Sequence, residues 1–158
     1  VVPSCGTRVA EIDWNDVKQN YEALTEMHCV VARLVIDRID STHILELKRL
    51  NGLFARAMAS EDIQRQSQCD KDFHNYLIRL ANNHYIEQFI EQLSISAQRI
   101  ENLYFGNSPR RAQSVSEHER IIQCLESGDI AAAEQAIRDN WVTGVEMYKY
   151  FKAREHER

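Results

Sequence analysis

Residues 70–90 read DKDFHNYLIRLANNHYIEQFI, and the recurrence of their apolar residues decides the fold class. Phe73 and Leu77, with Ile63 upstream, share one side of a helix from about Glu61 to Ala81, and Asp70 and His74 fall on that same side. Asn82-Asn83 interrupts the pattern. It then resumes as Ile86, Ile90, Leu93, Ala97, Ile100 and Tyr104, predicting a helix from His84 to about Phe105. A carboxylate and an imidazole one turn apart on an inward stripe require either a ligand or a stripe that is less buried than its pattern.

Upstream, Val17, Tyr21, Leu24, His28, Val31 and Val35 recur at steps of three and four, predicting one helix from about Trp14 to Ile39. Asp40-Ser41-Thr42 offers capping side chains to a second, running through Leu45, Leu50, Leu53 and Ala57 to near Ser60. Downstream, Gly106-Asn107-Ser108-Pro109 forms a loop, and Ser114 with Glu117 has the spacing of a capping box opening a fifth helix with Val115, His118, Ile122 and Leu125 inward. Ser127-Gly128-Asp129 ends that helix and caps a sixth, which begins IAAAEQAI and continues through Asn140, Gly144, Val145 and Tyr148. The expected fold is all-α, an antiparallel bundle of about six helices, since short connections favour antiparallel neighbours.

Composition narrows the function classes. A chain of 158 residues that is 44% hydrophobic, with only 5 Gly and 2 Pro, is long enough to close one domain around a core. A formal net charge of -5 without a clustered basic patch argues against a nucleic-acid surface. Cys5, Cys29, Cys69 and Cys124 form no C-x-x-C pair, so they read as reduced thiols of a cytoplasmic protein. Neither a bilayer-spanning run nor a signal-peptide pattern is present, and Arg110-Arg111 and the closing AREHER read as solvated surface.

The inward polar residues are Asp70, His74, His118, Asn140 and His28. A carboxylate and imidazoles from facing helices suit a divalent transition metal, and a bundle interior can assemble them. Each residue also has a plainer reading, as a core side chain bonded to a neighbour. Trp141, beside Asn140, reads either as a wall of the pocket or, more commonly for a large aromatic, as packing at a helix interface.

Together with SEHERIIQCLESGDIAAAEQAI at 116–137, the opening stretch resembles the ligand-sensing domain of the GntR superfamily in its FadR-type (FCD) branch. The resemblance rests on Asp70 and His74 in a D-x-x-F-H context, Asn83 closing that helix, Glu117-His118 opening a later one, and Gly128-Asp129 with Ala133; it extends over about residues 14 to 150. GTRVAEI resembles the end of that family's winged-helix wing. The resemblance thus implies a wing remnant and linker over 1–12, a helical effector-binding and dimerisation domain over 13–158, and a missing DNA-reading domain upstream.

It further implies a homodimer that binds a small metabolite, an organic acid above all, and passes its occupancy to operator DNA. In many members a divalent metal such as zinc or nickel is held by an Asp and three His, with the effector completing its coordination. Asp70, His74 and His118 match three of those positions, whereas the fourth is Asn140 here, a poorer ligand that weakens the site. Leu24 occupies the place where the family often carries an Arg suited to an effector carboxylate. Asn140, His28 and Leu24 are therefore the expected effector-pocket residues. His28, one turn after Leu24, is either a core histidine or a substitute imidazole.

Enzyme chemistry has little support in the sequence. No His has Glu three residues before it, as a di-iron bundle needs, and no G-x-S-x-G elbow is present. The alternatives to a regulatory sensor are a helical protein-interaction module and a metal-free small-molecule binder without a switch.

Overall fold

The computed structural model describes residues 13–60, 62–104 and 111–155. Among them are six helices and no strand: α1 Trp14–Val35, α2 Ser41–Met58, α3 Ile63–Ala81, α4 His84–Tyr104, α5 Arg111–Glu126 and α6 Ile130–Glu155. The expected loop at 106–109, Arg110, the wing remnant at 1–12 and the end of the tail at 156–158 lie outside the described residues, as do the side chains of Gly144, Val145 and Tyr148.

Most helix ends follow from local chemistry. Asp40 caps α2 by accepting from the backbone of Thr42 and His43, while the His43 ring faces back to the Asp40 backbone. Asn82, at φ 50°, closes α3 in the left-handed conformation that Asn tolerates. Gly128 does the same after α5 at φ 70°, and the Asp129 side chain accepts from Ala132 N at 3.0 Å to start α6.

Two expectations about helix ends fail. Helix α1 stops at Val35, short of Ile39, because Arg38 and Ile39 turn back to donate to the Val35 carbonyl and free Asp40 to cap α2. Helix α5 starts at Arg111, so Ser114 lies inside it and its hydroxyl is no N-cap.

Packing places five helices in a closed ring: α1 against α6, α6 against α5, α5 against α2, α2 against α3, and α3 back against α1. Helix α4 lies outside, mainly against α1. Sequence neighbours α2/α3 and α5/α6 therefore pair, whereas α1 and α2 do not pack extensively despite their short link.

The α1 seam is buried as its periodicity predicts, from Val17 through Tyr21, Leu24, His28 and Val31 to Val35. On α2 the inward stripe is Ile44, Leu47, Asn51 and Phe54, and Leu45 is 69% exposed, because the two lie about 100° apart on the helix. Tyr85, Phe89 and Ile95 are also exposed, as expected of a helix that covers the ring with one face only. Ion pairs such as Arg33–Glu134 and Arg138–Glu26 run along the α1–α6 seam. No described helix is long and apolar enough to cross a membrane. Cys29, Cys69 and Cys124 are free thiols.

Candidate metal centre

The ring of helices closes around His118. Its imidazole is fully buried, stacked on Phe73 at 3.9 Å between centroids with 10° between planes, and flanked by Phe54 at 5.3 Å. Its Nδ1 lies 3.2 Å from Asn51 Oδ1 of α2, while Asn51 Nδ2 donates to the Val115 carbonyl at 2.9 Å, one turn earlier on α5. Its Nε2 points the other way, 3.3 Å from His74 Nε2 and 3.4 Å from Asp70 Oδ1.

Asp70 and His74 share a face of α3 because they are four residues apart. One ligand atom from each of Asp70, His74 and His118 lies within 4.8 Å of the others. Asp70 and His74 keep part of their surface open, but the His74 ring is enclosed by Phe73, Trp141, His28 and His118. That enclosure lowers the His74 pKa to about 4. Burial, and next to it the neighbouring His74, push His28 and His118 well below the usual histidine range. All three imidazoles are therefore neutral at pH 7, the form that ligates a metal. At neutral pH the contact between His118 and Asp70 is consequently not an ion pair. On a neutral ring Nε2 meets the Asp70 oxygen either as an N–H donor or as a lone pair, according to the tautomer.

The three sequence-matched residues thus come together. His28 joins them edge-on, its ring 5.2 Å from that of His74, and it stacks on Trp141 at 4.7 Å and 27°. Trp141 therefore borders the cluster while packing against the core. Its buried indole N–H meets no acceptor among the described residues. Leu24 is completely buried in the core one turn before His28. Asn140 donates to Glu117 Oε2 at 2.9 Å.

The sequence reading missed Asn51 and Phe54. Their signal was an inward polar residue one turn after Leu47 and three before Phe54, hidden by choosing Leu45 for the stripe.

The family model described as the FCD domain matches residues 19–141. Among solved structures, E. coli McbR/YncC is similar with a TM-score of 0.80 and 14% sequence identity, over 96% of this chain and 73% of that chain. At that identity the likeness is one of fold. No curated protein matches the sequence.

Proposed function

Because this chain belongs to the FCD domain family, we propose that it is the effector-sensing and dimerisation domain of a GntR/FadR-type transcriptional regulator. Residues 1–12 are then the wing remnant and linker to an upstream winged helix that reads operator DNA, and the chain works in the cytoplasm as a non-enzymatic homodimer. The observation that carries the reading is the convergence of Asp70, His74 and His118 donor atoms within 4.8 Å inside the helical ring.

These three residues would hold a zinc- or nickel-like divalent ion, whose chemistry here is to offer open coordination positions to an effector oxygen. A small organic acid fits that demand. The stacked rings of Trp141 and His28 would supply a flat apolar wall beside it. Leu24 supplies no cation for the acid, so charge compensation would fall to an ion held by Asp70, His74 and His118.

An effector bound at this centre touches α1, α3, α5 and α6 together. Its occupancy can therefore bias how the ring packs and, through it, operator affinity. Coupling of this kind is typically about 1–3 kcal/mol.

Thermal denaturation of the 158-residue chain with zinc or nickel, with organic acids, and with both tests the reading. Metal should raise the midpoint, and an acid should add to it only when metal is present. Stabilisation by acids alone would favour a metal-free binder, the reading to which the engagement of Asn140 by Glu117 lends weight. No shift under any condition would leave a protein-interaction module.

A further inference from the structure

We infer that Asn51 is a positioning residue that fixes His118 in its Nδ1–H tautomer and so reserves the Nε2 lone pair for a cation shared with Asp70 and His74. The inference rests on the metal reading above for its purpose, but its chemistry follows from the hydrogen bonds alone. A carbonyl oxygen only accepts, so the end of the Asn51 amide that lies 2.9 Å from the Val115 oxygen is the NH2 group. The other end, 3.2 Å from His118 Nδ1, is then the oxygen, which also only accepts. The hydrogen between them belongs to Nδ1. A neutral imidazole carries one N–H, which leaves Nε2 bare, and Nε2 is the atom that faces His74 and Asp70.

The fold makes this arrangement hard to reverse. Asn51 grips two points on the same turn of α5, the Val115 backbone and the His118 ring, from an adjacent helix. Phe73 lies flat on the imidazole and Phe54 flanks it, so a flip of the ring must displace aromatic neighbours inside a close-packed core. A metal-ligating histidine commonly has its other nitrogen held by an outer partner that sets tautomer and orientation. Here a neutral side-chain amide on α2 fills that place.

The test reads the tautomer and the metal separately. Long-range nitrogen–proton NMR of the metal-free chain at pH 7.5 should show His118 protonated on Nδ1. Competition between the chain and a chelator for zinc alone then gives affinity in the parent, Asn51→Leu and Asn51→Asp, with circular dichroism checking the fold.

Asn51→Leu removes the acceptor and should lose the tautomer preference together with about 10–100-fold in zinc affinity. Asn51→Asp keeps an acceptor while losing the bond to Val115, so it should retain the Nδ1–H form and bind zinc at least ten times more tightly than Asn51→Leu. If Asn51 only tied α2 to α5, the two variants would fail alike. That result overturns the inference, and so does a parent His118 protonated on Nε2. A parent with the Nδ1–H tautomer and no zinc binding would refute the metal reading and leave Asn51 as the residue that sets the tautomer.

Discussion

The Nε2 atoms of His74 and His118 face one another at 3.3 Å although their helices, α3 and α5, do not pack extensively against each other. The two helices are joined through α2, which packs on both. A cation held by Asp70, His74 and His118 would therefore add to a link between two ring members that is made by side chains, above all the stacking of Phe73 on His118.

The ligand assignment can be tested by substitution. Zinc affinity, measured by competition with a chelator alongside elemental analysis, should be abolished in His74→Ala. In Asn140→His it should rise about 10-fold or more, since an imidazole is a better donor than an amide oxygen. Stoichiometric metal that survives His74→Ala would mean the ligands lie elsewhere. An unchanged Asn140→His would mean that position 140 belongs to its Glu117 contact and not to the metal.

Stability should fall with acid. Burial lowers the pKa of His28 and His118 well below the ordinary value and that of His74 to about 4. In the unfolded chain they return to about 6.5. Between those values the unfolded state binds more protons, so stability is fully present above about pH 6.5 and is lost as pH falls towards about 4. Urea midpoints at pH 7.5 and pH 5 should differ in that direction, and His74→Asn should flatten the slope between them. A midpoint independent of pH over this range would contradict the burial of the three rings.

Phe73 is fully buried and stacked on His118. Phe73→Ala should cost about 3–5 kcal/mol by removing apolar contacts and opening a cavity. Chemical denaturation measures that loss. Phe73→Leu should cost less, and should still weaken zinc binding because the flat support beneath the imidazole is gone.

Surface ion pairs should matter far less. Arg33 meets Glu134 at 2.6 Å across the α1–α6 seam, yet the Arg33 side chain is about half exposed. Arg33→Ala should change the denaturation midpoint by no more than about 1 kcal/mol, and by less at high salt. A loss approaching that of Phe73→Ala would show that charge, and not the buried seam, holds α6 to α1.

The sequence by itself determined the helices. Their apolar spacing and the Asp40, Asn82 and Gly128-Asp129 boundaries are local properties of the chain, set by hydrogen-bond geometry and by which side chains tolerate capping conformations. Spacing also placed Asp70, His74, His118, Asn140 and His28 on inward faces, and the family resemblance narrowed the metal positions among them to Asp70, His74 and His118.

What it did not contain was the ring. Whether α5 approaches α3 or α2 depends on how five apolar faces share one core, a non-local competition that no window of sequence records. Only that packing made Asn51 the partner of His118 Nδ1. It likewise laid Trp141 against His28. Local spacing fixes which face a side chain lies on, while the identity of the atom it meets is settled by helices distant in sequence.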